Sequence, residues 1–273
     1  MKLTIKEKMI SVVTPVYNGE KFIKDCILNV IEQDCNQVEH IIVDGNSTDK
    51  TVDIIKEYAD KYDHIRWISE KDQGQSDAMN KGIAMAKGEI LSFLNVDDYY
   101  SPNVLNRVLE LFQSLPEPTL LVGNCNMWDQ EGKIYAVNKP DNLNYFDLLT
   151  SMYINYDIQL PTNPAAYFYH TSLHKDIGLY KVDEDYVLDL DFILRAVKSA
   201  NSLYVDEDFG NYRYIPNSKT FEDVQRGENH NRVINLLKGY RNSLPIHLRI
   251  KISLLEIKAK LKYILWKLNL RRI

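Results

Sequence analysis

The stretch MISVVTPVYNGEKFIKDCILNVIEQ, residues 9–33, decides the fold. Its first half is a run rich in β-branched residues that ends at Pro15 and Val16, the pattern of a strand buried on both faces. After the turn residues Asn18 and Gly19, six side chains (Phe22, Ile23, Cys26, Ile27, Val30 and Ile31) recur at three- and four-residue steps and predict an amphipathic helix. A strand that leads at once into a helix is the repeating unit of a parallel sheet, because the chain must cross over before it can pair again in the same direction.

The same unit recurs downstream. HIIVDG (40–45) reads as the second strand, with Ser47, Thr48 and Asp49 placed to cap a helix from Thr51 to Tyr58. HIRWIS (64–69) is the third, followed by a helix that carries Ala78, Met79, Ile83 and Met85. EILSFLN (89–95) is the fourth, and Pro102 suits the first turn of a helix reaching Ser114. Beyond Pro116 the rhythm changes. LLVGNCNMW (120–128) predicts a strand, Gly132 and Lys133 a turn, and an aromatic stretch runs from Tyr145 to Tyr169. DLDFILRAVKSA (189–200) predicts a helix with Leu190, Ile193, Leu194 and Val197 on one face. The expected architecture is α/β, a Rossmann-like, mostly parallel sheet with helices on both faces. Residues 1–120 and 121–235 form two halves of one domain, and 236–273 form a helical tail.

A chain of 273 residues with 45% hydrophobic content has enough apolar material for one large core. Three cysteines (Cys26, Cys35, Cys125), without a CxxC pair, suggest neither a disulfide framework nor a zinc site, and a reducing compartment is expected. The N-terminal apolar run is too short for a secretion signal, and no run reaches the roughly 18 residues of a membrane span. The net charge of -5 is unevenly distributed. Between Lys238 and Ile273 ten Lys or Arg face Glu256 alone, so this tail carries +9 and the rest of the chain -14. An acidic body speaks against nucleic acid as a partner, since phosphate contacts require clustered cations. In the tail, Ile250, Leu254, Ile257, Leu261, Ile264, Leu265 and Leu268 recur at helical steps away from Lys251, Lys258 and Lys262. Such a basic amphipathic helix suits either packing on protein or peripheral contact with an anionic membrane.

Acids and turn residues gather where the predicted strands end. Strand one ends in Thr14, Pro15, Val16, Tyr17 and Asn18, strand two in Asp44 and Gly45, strand four in Asn95, Val96, Asp97 and Asp98. Open parallel sheets bind ligands at these carboxyl ends. A buried carboxylate there needs a hydrogen-bonding ligand or a cation, and adjacent acids suit a hard divalent ion bound through oxygen. Capping of the following helix is the alternative role for Asp97 and Asp98.

Three blocks, SVVTPVYNGEKFI, HIIVDGNSTDKTVDII and SEKDQGQSDAMNKGIAMAKGEILSFLNVDD, together resemble the nucleotide-binding half of the family-two glycosyltransferases, inverting enzymes of the GT-A fold. The resemblance implies that 1–120 binds a nucleotide-sugar, 121–235 the acceptor. It places Asp44 and Tyr17 on the base, with Thr14, Pro15, Asn18, Glu20, Gly45 and Ser47 around them. It lines the donor with Asp72, Gly74, Asp77, Asn80, Asn95 and Val96. The family's DxD motif reads NVDD here: Asn95 replaces the first acid, Asp97 aligns with the metal ligand, and Asp98 follows as a second candidate for Mn2+ or Mg2+. VLDLDFILR resembles the segment in which an acid opens a helix beneath the acceptor, which makes Asp189 the general base and Asp191 its supporting acid. Asn163 is a candidate for the acceptor pocket, and Tyr153, Tyr156, Tyr167 and Tyr169 for stacking on sugars. YRYIPNSKT resembles a closing loop from which Arg213 and Lys219 reach the diphosphate, with Ile215 where many relatives have His.

The expectation is an inverting transfer of a sugar, hexosyl or N-acetylhexosaminyl, from a UDP-type donor to a hydroxyl of a glycan or lipid-linked glycan. The expected setting is surface-polysaccharide assembly at the cytoplasmic face of the membrane. Two rivals differ in kind. A nucleotidyltransferase would have a glycine-rich basic loop where this chain has PVYNGEKF, and a catalytically silent nucleotide-sugar-binding scaffold would tolerate Asn95.

Overall fold

The computed structural model describes residues 8–151, 159–161, 163–183, 186–216 and 218–270. The first part alternates as its periodicity predicts: β1 (Ile10–Val16), α1 (Ile23–Ile31), β2 (Val38–Asp44), α2 (Thr51–Ala59), β3 (Ile65–Ser69), α3 (Gln75–Met85) and β4 (Ile90–Phe93). These four strands lie in the order β3, β2, β1, β4, all parallel. Every residue of β1 and β2 is buried, which explains why their sequences are rich in apolar residues on both faces. Helix α3 lies close over β1 at Gly82, where a Cβ would come within 2.2 Å of a Val13 methyl.

The later elements are β5 (Tyr99–Tyr100), α4 (Val104–Phe112), β6 (Thr119–Trp128), β7 (Ile134–Asn138), α5 (Tyr145–Thr150), a 3-10 turn at Pro164–Ala166, β8 (Tyr167–His170), α6 (Leu173–Ile177), α7 (Leu188–Ser199) and β9 (Asn201–Arg213). Three helices close the chain: α8 (Lys219–Gln225), α9 (Glu228–Asn242) and α10 (Ile246–Leu270). The sheet continues past β4 as β8, β6, β9 and β5, with β7 paired to the far half of β6. Here the mostly parallel expectation meets a mixed sheet. β8 runs antiparallel to both β4 and β6, β6 and β9 are parallel, and β5 is antiparallel to β9. The reversal matters for the site. Because Leu91 pairs with Tyr169 and Ile90 with His170, the first residue of β8, Tyr167, lies beside the carboxyl end of β4.

Alternating side chains send the sheet into cores on both faces. Val13, Ile41, Phe93, Val122, Tyr167 and Tyr169 pack under α3, α5, α6, α7 and α9. Val12, Ile90, Leu121 and Phe168 meet α1 and α4 on the other face, while Ile42 joins α1 and α2. Helix α9 is tied to the body by Leu237 in the core and by the Arg241 guanidinium, which donates to the Leu149 carbonyl.

Candidate active site

The loops after β1 and β2 are stitched together. Asn18 N–H donates to Ser47 Oγ at 2.8 Å, Thr48 N–H to Asn18 Oδ1 at 2.9 Å, and Gly19 N–H to Thr51 Oγ1 at 2.8 Å. Glu20 accepts from Lys50 N–H at 3.1 Å. Asn18 carries this turn at a left-handed φ of 49°. Thr14 is buried against His40 Nε2 at 2.9 Å, Pro15 and Val16 are buried, and Tyr17 projects outward, 63% exposed. Asp44 is buried beneath, accepting from Ser47 N–H at 3.0 Å, from the Ser47 hydroxyl, and from Ser69 Oγ at 2.6 Å. Its carboxylate joins the ends of β2 and β3 through two serines. A base contact by Asp44 therefore has to compete with these internal donors.

The next candidates form a second loop against the first. A Cβ on Gly45 would lie 2.6 Å from Asp72 Oδ2, so only glycine lets that carboxylate approach. Asp72 Oδ1 accepts from Gly74 N–H at 3.0 Å, and Gly74 has φ 115°, which favours glycine. Asp77 accepts from Gln73 N–H at 3.1 Å and pairs with Lys81. Asn80 is committed elsewhere: both its amide atoms bind the Tyr180 backbone at 2.9 Å, fixing α3 to the segment ahead of α7.

The acids after β4 divide into one turned inward and one left available. Asp98 is 2% exposed and accepts from Asn95 Nδ2 at 3.0 Å, Asn163 Nδ2 at 2.9 Å and, at 3.4 Å, Arg213 N–H. Burial and the neighbouring Asp97 push its carboxyl up to about 7, while those donors oppose the shift. Asp98, expected as a metal ligand, is thus occupied by protein donors, and Asn163, expected at the acceptor, is one of them. Asn163 also caps the 3-10 turn by accepting from Ala165 N–H at 2.9 Å. Asn95 bridges to α3 by accepting from Gln75 Nε2 at 3.1 Å. Next to it in the motif is the buried-side neighbour Val96, packed with Val16 and Ile23.

Asp97 is half-buried, and among the described residues no side chain hydrogen-bonds its carboxylate. Burial raises its carboxyl above the usual range, with Arg213 opposing. Arg213 ends β9, donates from Nε to the Asp97 carbonyl at 2.5 Å, and stacks over Phe22 and Tyr99 with 5.6 Å to each ring centre. Lys219 opens α8, its side chain lying outside the described residues, as do Tyr153 and Tyr156. Among the described residues no cluster of three or more His, Cys, Asp or Glu surrounds a cation position. That donor set still fits a magnesium-like ion, which typically takes one or two carboxylates and completes its shell with substrate phosphates and water. Asp97 is the available carboxylate.

Asp189 and Asp191 stand in the first turn of α7, two residues and therefore about 200° apart around the helix. Asp189 accepts from the Tyr167 hydroxyl at 2.7 Å, and burial pushes its carboxyl up to about 7. Asp191 has the opposite environment. It is 1% exposed but is bound by Lys181 Nζ at 2.6 Å, Arg195 Nε at 2.8 Å and the Tyr240 hydroxyl at 2.8 Å. Those partners overcome burial and hold it below the ordinary carboxylate range. The two carboxyls of one helical turn are thus shifted in opposite directions, a division common at catalytic sites. Asp191 anchors α7 to α9 rather than facing the site with Asp189.

Asn163 and Tyr167 flank the turn Pro164–Ala166, and they bind Asp98 and Asp189 respectively. The acid loop and the α7 acid therefore hang from opposite ends of one three-residue turn at the carboxyl end of β4. Tyr167 and Tyr169 are fully buried, so neither is a surface for stacking sugars. Tyr167 as the partner of Asp189 was not legible in sequence, and neither were Gln75 and Phe22. Arg195 had one available signal, its i,i+4 spacing from Asp191 on a predicted helix.

The fold defines a GT-A type protein. The chain belongs to glycosyl transferase family 2, whose model matches residues 11–175, more than half of its length. It is 28% identical to an uncharacterised glycosyltransferase of Rickettsia typhi over 76% of this chain and 64% of that one. It is equally 28% identical to the uncharacterised glycosyltransferase EpsJ of Bacillus subtilis, over 78% of this chain and 63% of EpsJ. The chain thus spans somewhat less than two thirds of these relatives. Among solved structures it is similar to S. aureus TarS, with a TM-score of 0.65 at 20% identity over 92% of this chain and 43% of TarS. A TarS structure in complex with UDP-GlcNAc aligns with a TM-score of 0.61 at 19% identity, covering 92% of this chain and 79% of that one. The mannosyltransferase PcManGT from Pyrobaculum calidifontis, in complex with GDP-Man and Mn2+, gives 0.56 at 15% identity, over 94% and 81%.

Proposed function

We propose that this chain is an inverting glycosyltransferase that moves a sugar from a nucleotide-diphosphate sugar, UDP-linked in the simplest case, to an acceptor hydroxyl. The observation that carries the reading is the pair of environments on α7: Asp189 held by the Tyr167 hydroxyl alone among the described side chains, its carboxyl pushed up by burial, and Asp191 held by Lys181, Arg195 and Tyr240, its carboxyl pulled down. A hydroxyl is a weak nucleophile until its proton is taken during attack, and a base with a value near the working pH does this best. Asp189 takes the acceptor proton on its Oδ atoms. Tyr167 orients that carboxylate and steadies its charged form through the 2.7 Å hydrogen bond. Asp191 holds the first turn of α7 in place through Lys181, Arg195 and Tyr240.

On the donor side, Tyr17 offers an exposed ring for the base, and the loops built by Asn18, Glu20, Ser47 and Asp72 shape the floor beside it. Asp97 would hold a divalent ion, Mn2+ or Mg2+, which when bound offsets the charge of the leaving diphosphate. Arg213, fixed between Phe22 and Tyr99, adds positive charge at the same place. The proposed acceptor is a glycan, free or lipid-linked, in surface-polysaccharide assembly at the cytoplasmic face of a membrane.

A nucleotide-sugar screen by thermal shift with Mn2+ or Mg2+ tests the donor side. One donor should raise the melting temperature with metal, and Asp97→Ala should abolish the metal-dependent part. An unchanged metal response in Asp97→Ala would remove Asp97 from that role. Product anomers read by NMR test inversion, and retention of configuration would overturn the mechanism. Donor binding with no transfer to any glycan would favour the silent binding protein that Asn95 permits.

A further inference from the structure

Helix α10 has two apolar faces, and among the described residues only one is covered by the protein. Toward the body, Ile252 is 3% exposed and Glu256 pairs with Arg241 at 2.8 Å, while Leu248, Leu255 and Ala259 on the same side are partly covered. At 100° per residue, Ile250, Leu254, Ile257, Leu261 and Ile264 fall on the opposite side of the helix. They are 53%, 62%, 55%, 55% and 51% exposed, a continuous apolar stripe with nothing over it among the described residues. Scattered exposed leucines are ordinary, but an unbroken stripe of large aliphatic residues over four turns marks an interaction surface. The expectation of a single apolar face is thus refined: the helix is held by one face and presents the other.

The charges beside the stripe select what covers it. Lys258 borders one edge and Arg249 and Lys260 the other, all exposed, while the Lys251 ammonium turns back over the Phe146 ring of α5, 4.6 Å from its centre. A second copy packed along the four-three spacing of the stripe would set these cations against each other on both edges, and like charges at such flanking positions oppose pairing. An anionic bilayer surface instead satisfies both features, taking the aliphatic stripe into its interface and the flanking cations at its headgroups. No helix among the described residues is long and apolar enough to cross a membrane, so the contact lies in the plane of the surface. We infer that the outer face of α10 is an in-plane docking surface for anionic phospholipid, with α9 and α5 holding the helix so that the stripe faces away from the catalytic body.

The inference does not depend on the sugar-transfer reading and is tested without activity. The full chain is mixed with vesicles of phosphatidylcholine alone or with 30% phosphatidylglycerol added, and bound protein is measured by sedimentation. Binding should require the anionic lipid and weaken as salt is raised, because screening shortens the reach of surface charge to about 8 Å at physiological ionic strength. Lys258→Glu with Lys260→Glu should lower partitioning by at least tenfold, each lysine being worth about fivefold near such a surface. Leu254→Asp with Leu261→Asp should lower it similarly. All four positions are exposed, so circular dichroism and melting temperature should match the parent chain. Light scattering gives the opposing outcome. If the parent is a dimer that Leu254→Asp makes monomeric, or if these variants bind anionic vesicles like the parent, the lipid assignment is overturned.

Discussion

The Tyr167 hydroxyl donates to Asp189 Oδ1 at 2.7 Å, from the first residue of β8 to the first turn of α7. Among the described residues it is the one side-chain hydrogen bond to the proposed base, and it works against the burial that raises the Asp189 carboxyl. Tyr167→Phe keeps the ring but removes the donor, so Asp189 should become harder to ionise. The acidic limb of the transfer rate against pH, centred near 7 in the parent, should move to higher pH, with rate recovered in alkaline buffer. Loss of one buried hydrogen bond should cost about 1 kcal/mol in denaturant unfolding. An unmoved pH limb would separate Tyr167 from the chemistry.

Asp191 should behave in the opposite sense. Its carboxyl lies below its unfolded value, so the stability it adds is present above the ordinary carboxylate range and is lost as pH falls through its folded value. Asp191→Asn should destabilise by about 1–3 kcal/mol at pH 7, since it leaves the largely buried Arg195 without its charged partner, while the half-exposed Lys181 is taken up by water. The difference from the parent should narrow toward pH 3. Urea unfolding at several pH values reads this directly, and a constant difference would contradict the ion-pair account.

Asn95→Asp restores the acid of the DxD pattern and tests why the chain lacks it. Asn95 donates to Asp98 from 3.0 Å, so an aspartate would set one carboxylate against another beside Asp97. Without metal the melting temperature should fall by several degrees, and Mn2+ should recover more of it than in the parent. Equal metal responses in the two proteins would place the ion elsewhere.

Much of this was legible in the residues. The unbroken apolar runs around Val12 and Ile42 marked strands buried on both faces, and the helical steps from Ile23 to Val30 marked the helix between them. Local periodicity carries that information because each element satisfies its own pattern. The second half was less legible for a physical reason. β8 inserts antiparallel between β4 and β6, and β6 pairs with β9 at residues about 80 positions apart, with register breaks between Val122 and Cys125. No local pattern encodes such pairings. The site followed the same division: acids at strand ends announced themselves, whereas the commitment of Asp98 to Asn163 and of Asn80 to Tyr180 is a matter of long-range contact.

The account rests on Asp189 as the group that takes the acceptor proton, and Asp189→Asn measures this most directly. The amide keeps an acceptor for Tyr167 but cannot act as a base, so donor affinity should stay within about twofold while transfer falls by roughly 100-fold or more. A second reading comes from stability. Because the folded carboxyl is raised toward 7, the parent is best stabilised by this group at low pH and loses that contribution as pH rises through 7, so the asparagine variant should melt higher than the parent at pH 8 and much less so at pH 5. Transfer by Asp189→Asn at the parental rate, with donor binding unchanged, would contradict the account.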